Sequence, residues 1–149
     1  MNLSEHFTLE ELTASDSAVR LGIANVAGAE EEANLRRLCA QVLEPLRSAI
    51  GRPIRVTSGL RVPLLNTIVG GSRTSDHCTG RAADIQVEGM APLAVCLAIR
   101  SLGLPYKQLI HEFGTWCHVS VPPLGEAPAR EDLTARKVAG KTEYIRGVS

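Results

Sequence analysis

Aromatic residues make up only 3% of this 149-residue chain, and its formal net charge is +0. No apolar run approaches the roughly 18 residues that a membrane span needs. Without an excess of one charge there is no global basic field to draw in nucleic acid or an anionic membrane. So few aromatics also leave no platform for stacking bases. Neither nucleic acid nor a membrane is therefore expected as a partner. The stretch Met1-Asn2-Leu3-Ser4-Glu5-His6 shows no basic segment followed by an apolar core, so no secretory signal is visible and synthesis in the cytoplasm is expected. Repeats and low-complexity segments are missing. The four cysteines, Cys39, Cys78, Cys96 and Cys117, have no CxxC spacing, which removes the zinc-ribbon and redox signatures.

What is present is ordinary for one soluble domain. The length suits a single hydrophobic core, and 44% apolar with 21% charged residues can fill and solvate it. Thr8 stands three residues before Glu11 in "FTLEELTAS", a capping-box pattern for a short first helix. A second helical turn follows over Asp16 to Arg20 and ends at Gly22. From Glu30 to Ile50 the apolar residues recur at three- and four-residue steps, which predicts a long amphipathic helix that Pro45 either kinks or brings to its last turn. "RPIRVTS" (52–58) and "AADIQV" (82–87) read as strands, and Leu60 to Arg73 as irregular chain. Met90 to Leu102 reads as a helix, with Pro92 near its start and Gly103 past its end. "QLIHE" (108–112) and "WCHVSV" (116–121), linked by Phe113-Gly114-Thr115, predict a hairpin. The expectation is one α+β domain, a small antiparallel sheet with helices packed on one side. Residues 1–50 are its mainly helical part, 52–121 its core and 122–149 a wrapping tail that adds a short strand near Tyr144.

The chemistry gathers in "RTSDHCTGRAADIQ" (73–86) and the hairpin. Alternation along the second hairpin strand puts Trp116, His118 and Ser120 on one face, and Cys117, Val119 and Val121 on the other. The second set is apolar and must face the core. With Ile110 across from His118, Glu112 becomes a diagonal neighbour on the outward face. His77 and Asp84 come from the segment beside this sheet. Two imidazoles and a carboxylate on three elements make a three-ligand site with an open fourth position, as a catalytic zinc uses. Zinc would bring a bound water to a pKa near 7, and a carboxylate that is not a ligand must then take the proton. Glu112 is the candidate. Gly80 lets the backbone turn tightly between His77 and Asp84, and Ala82-Ala83 leave little bulk nearby. Taken singly, each of these residues has an ordinary explanation as a turn, edge or satisfied polar group; their convergence does not.

"SDHCTGRAAD" fits S-x-H-x-x-G-x-A-x-D, with Ser75, His77, Gly80, Ala82 and Asp84 in register, and "WCHVS" fits a W-x-H motif. Together they resemble the zinc D-alanyl-D-alanine carboxypeptidase and L-alanyl-D-glutamate endopeptidase family, which shares its fold with the hedgehog signalling domain. "FTLEELTAS", "LEPLR", "SGLR" and "LN" followed by "GGS" resemble its small phage and bacterial branch. The likeness implies one Zn2+ held by His77, Asp84 and His118. Many members place the catalytic acid three residues before the last histidine, where this chain has Thr115. Glu112, six before, matches the hedgehog-like spacing and the E-x-x-x-W-x-H form of the phage-type branch, so the resemblance assigns it the proton-shuttling role. Arg61 of "SGLR" matches the arginine that faces the scissile carbonyl or the substrate carboxylate. Ser75, Trp116 and Ser120 are expected beside the metal or the substrate. His111, Cys78 and Cys117 read as structural.

The implied activity is hydrolysis of an amide bond in the peptide stem of bacterial peptidoglycan by a monomeric phage endolysin that reaches the wall after release through a holin. Carboxypeptidase and endopeptidase action both fit. Two rival readings are a non-catalytic module that keeps zinc for structure and a virion component that opens the wall locally.

Overall fold

A computed structural model describes residues 1–149, all in one α+β unit. The capping box forms at α1 (Leu9–Thr13), where Thr8 Oγ1 accepts from the Glu11 N–H and Glu11 reaches back to the Thr8 N–H. Next, α2 (Asp16–Leu21) is capped by Ser15 and stopped by Gly22. The long helix anticipated over 30–50 is present but broken into α3 (Ala29–Leu38), a π-helical turn (Cys39–Leu43) and α4 (Glu44–Ile50). Pro45 explains the break: it has no N–H to donate, and its ring would meet the carbonyl four residues earlier. The chain widens by one residue just ahead of it, and the Glu44 N–H reaches back to Cys39 O instead.

Strands β1 (Arg55–Ser58), β2 (Ala82–Gln86), β3 (Gln108–Glu112) and β4 (Trp116–Ser120) lie within one or a few residues of their expected positions. Between β2 and β3 runs α6 (Pro92–Ser101). Two segments depart from expectation. Leu60 to Arg73 is not irregular throughout, because Pro63 occupies the first turn of a helix, α5 (Pro63–Ile68), and supplies its fixed φ. The tail contributes more than one short strand: β5 (Glu131–Val138) and β6 (Lys141–Arg146) form a full hairpin.

The sheet has six strands in the order β1-β2-β4-β3-β5-β6. Its pairs are antiparallel except β3–β5, which is parallel, so the sheet is mixed rather than wholly antiparallel. The connection from β4 to β5 is long enough to carry the chain across the sheet edge and reverse its sense. A cluster of 23 buried apolar residues fills one side. Ala83, Ile85, Leu109, Cys117 and Val119 from the strands meet Leu12, Leu35, Leu38, Leu46 and Ile99 from the helices there. The other side of the central strands carries polar residues, and the two faces alternate as β geometry requires.

Candidate metal centre

His77 sits in a 3₁₀ turn (Asp76–Thr79) that ends at Gly80 in the left-handed region, φ +76°. A Cβ on Gly80 would lie 2.6 Å from the Glu31 carbonyl of α3, so the turn presses on that helix only because the residue is glycine. The ring of His77 is oriented by Gly59, whose carbonyl accepts from Nδ1 at 2.7 Å. Gly59 is itself a close approach: a Cβ there would stand 2.2 Å from the Leu12 carbonyl of α1. With its proton on Nδ1, His77 turns the lone pair of Nε2 towards Asp84 Oδ1, 3.3 Å away.

Register supplies the rest. Asp84 of β2 pairs directly with His118 of β4, and His118 pairs with Ile110 of β3, as expected. Glu112 pairs with Trp116 and so lies diagonal to His118. His118 Nδ1 is 3.0 Å from Asp84 Oδ1 and 3.4 Å from Glu112 Oε1. The ligand atoms of His77, Asp84 and His118 all lie within 4.8 Å of one another, and all three residues are buried.

Electrostatics show what this cluster is suited to hold. Burial pushes the His77 imidazole down, so it stays neutral with a free lone pair. Burial would raise Asp84, but His77 at 3.3 Å and His118 at 3.0 Å outweigh it and hold the carboxyl well below the usual range whenever they turn a proton towards it. For His118 burial works downward, yet the Asp84 hydrogen bond and the Asp84 and Glu112 charges leave it raised. Burial raises Glu112 as well. A neutral imidazole lone pair facing a carboxylate oxygen at 3.3 Å repels unless something positive stands between them. The donor set of two imidazole nitrogens and one carboxylate oxygen fits a divalent metal with a position left open.

The cluster forms the floor of a cleft of about 700 Å³ that Glu112, Arg61, Ser75 and Trp116 also line. Arg61 is anchored by its backbone N–H on the His77 carbonyl, and its buried Nε has no partner. Trp116 Nε1, beside Glu112, is likewise unpartnered. Ser75 is at the cleft edge but spends its hydroxyl accepting from the His77 N–H, which caps the turn. Ser120 shares the strand face of His118 yet is fully buried, its hydroxyl accepting from the Gln108 N–H. It supports the sheet and is out of reach of a substrate. His111 points to the other face, where its ring meets the Ser149 carbonyl. All four cysteines are free thiols, three of them buried. A larger groove of about 1080 Å³ runs along the β1 edge from Arg52 to Met90, but it holds none of the ligand cluster.

Several cleft residues escaped the sequence reading. Asp76 receives Arg81 at 2.8 Å and Lys107 at 3.0 Å, which pins the turn that carries His77. Its position beside a motif histidine was a weak signal; nothing marked its partners. Leu133, Lys137, Thr142 and Tyr144 of the β5–β6 hairpin also border the cleft. The turn between β3 and β4 ties them in: Phe113, at φ 55° in a region that few aromatic residues adopt, donates its N–H to Ala135 O at 2.8 Å and packs its ring edge-on to Trp116.

Among known proteins, a family model described as peptidase M15 matches residues 5–120, which spans the helices, the His77–Asp84–His118 group and the first four strands. No curated protein matches the chain.

Proposed function

The chain belongs to the peptidase M15 family, a family of metallopeptidases, and from that premise we propose that it is a zinc peptidase of the bacterial cell wall. Its substrate is the peptide stem of peptidoglycan, in which it hydrolyses an amide bond. One observation carries the proposal: potential ligand atoms of His77, Asp84 and His118 lie within 4.8 Å of one another in an open cleft, with Glu112 beside them.

His77 would hold the metal through Nε2, since Nδ1 is committed to Gly59, while Asp84 and His118 would offer Oδ1 and Nδ1. When bound, zinc acidifies a coordinated water and polarises a carbonyl. Glu112 is the only other carboxylate in contact with this cluster, and burial keeps its affinity for a proton above the ordinary carboxylate value. It takes the proton of the attacking water on a carboxylate oxygen and passes it to the leaving amine. Arg61 offers an unpaired Nε–H to the developing oxyanion or to a substrate carboxylate, and Trp116 offers its indole N–H close to Glu112. The aliphatic floor at Ile110 gives the stem an apolar surface to lie on.

In the cell, the proposed role is that of a monomeric phage endolysin, held in the cytoplasm until a holin opens the membrane. No helix is long and apolar enough to cross a membrane. Mass spectrometry of muropeptides after digestion, with and without a chelator, tests the activity. Loss of one terminal alanine identifies a carboxypeptidase, and release of whole stems identifies an endopeptidase. Absence of any chelator-sensitive product would overturn the assignment. Finding the protein in purified virions would move the same chemistry from lysis to entry.

A further inference from the structure

One wall of the cleft lies outside the segment that the peptidase M15 model matches. Leu133, Lys137, Thr142 and Tyr144 border the cleft, whereas the match ends at residue 120. Their position follows from register. Parallel pairing sets Glu112 against Ala135, and the hairpin sets Ala135 against Tyr144 and Lys137 against Thr142. Paired residues share a face. Trp116, Glu112, Ala135 and Tyr144 therefore form one row across four strands, and Lys137 and Thr142 begin the next row outward on the same face. Burial pushes the Tyr144 phenol up, the Glu112 charge adds to it, and its O–H stays a donor at neutral pH.

The charge on Lys137 is held but not neutralised. Its Nζ donates to Thr142 Oγ1 at 3.0 Å and stands 5.6 Å from the centre of the Phe113 ring. The other lysine at the cleft, Lys107, differs: it meets both oxygens of Asp76 at 3.0 Å. A hydroxyl and a ring fix the direction of the Lys137 ammonium without cancelling its charge. Thr142 accepts from the lysine and keeps its own O–H to give away.

We infer that Lys137, Thr142 and Tyr144 form a subsite for a free carboxylate that the peptide substrate carries away from the bond being cut. The subsite makes the enzyme select acidic peptides over the same peptides amidated at that group. This rests on the peptidase assignment for its substrate class, but binding can be read without turnover. The preference expected of one cleft-edge cation is modest, about fivefold, and shrinks as salt screens it.

The test uses two synthetic stem peptides that differ only in whether one acidic side group is free or amidated. Each is titrated by calorimetry into the metal-loaded Glu112→Gln protein, and into that protein carrying Lys137→Gln or Lys137→Arg as well. The acidic peptide is expected to bind about fivefold tighter to the parent, to lose that advantage with Lys137→Gln and to keep most of it with Lys137→Arg. Equal binding of both peptides to the parent would overturn the inference, as would a preference that survives Lys137→Gln. Hydrolysis by protein with Glu112 intact is measured separately. A carboxylate preference without cleavage would remove the peptidase assignment and leave the subsite standing.

Discussion

Strands β2 and β4 are buried along almost their whole length, whereas β6 has no buried residue and β5 only Thr134 and Ala135. Both regions belong to one sheet and both face the cleft, yet they are held by different forces. The central strands are clamped between the helical core and the ligand cluster. The outer hairpin is held mainly by backbone ladders and by a few anchors such as Thr134, whose hydroxyl donates to Gly147 O and accepts from the Ser149 N–H. Residues proposed to hold a metal sit where packing fixes them. Residues proposed to meet a variable part of a substrate sit where a side chain can change at little cost to the fold.

The largest effect expected is at the centre. Glu112→Gln should lower kcat/KM about 10²–10⁴-fold while metal content, read by atomic absorption, stays at wild type. Loss of the metal in that variant would make Glu112 a ligand instead. Exchanging Glu143, which pairs with Arg136 on the opposite face of the exposed hairpin, for Gln should change neither reading. Next in size is packing. Leu109 of β3 is fully buried, and Leu109→Ala should cost about 2–5 kcal/mol in urea unfolding. Val138 of β5 is 48% exposed, and Val138→Ala should cost no more than about 0.5 kcal/mol. Similar costs at the two sites would dissolve the contrast between centre and edge.

A smaller effect is expected at Asp76, where Arg81 and Lys107 converge. Burial raises this carboxyl, but the hydrogen bonds and charges of Arg81 and Lys107 outweigh it and hold it below the usual range. Its contribution is therefore fully present above the unfolded carboxylate value of about 3.9 and lost as the pH falls towards the lower folded value. Asp76→Asn should cost about 1–3 kcal/mol at neutral pH, and the gap to wild type should begin to narrow below about pH 4 and close once the pH is below the lower folded value. A gap that persisted there would mean the carboxylate charge is not what matters. Least in energy but easy to read is thiol labelling. Cys78, partly exposed, should be the one cysteine that a maleimide reaches in the native protein. Cys39 should not react, because burial pushes its thiol up to about 12. Labelling at Cys117 would report that the central strands open.

The legibility of the sequence follows the same division. Period-2 alternation over 116–121 was enough to set His118 on the face away from the core and to place Glu112 beside it, and the structure reproduces the Ile110–His118 pairing on which that rested. Short turns and adjacent strands leave local marks, so β3 and β4 could be read directly. The parallel partner of β3 left none, because a strand that returns after a long connection is chosen by what it can bury rather than by a turn. Lys137, Thr142 and Tyr144 therefore meet the cleft through two successive registers that no spacing announces. At α5, where irregular chain was expected over Leu60 to Arg73, Pro63 is the favoured first residue of a helix too short to leave a clear period.

The contact between Gly59 and Leu12 has a practical reach. The carbonyl that aims His77 belongs to a residue wedged against the first helix, and the next amide, Leu60 N–H, is bonded to that same Leu12 oxygen at 2.8 Å. Anyone grafting this catalytic unit onto another protein should carry the opening dozen residues along. Shaved off as a dispensable leader, they would take the aim of the imidazole with them.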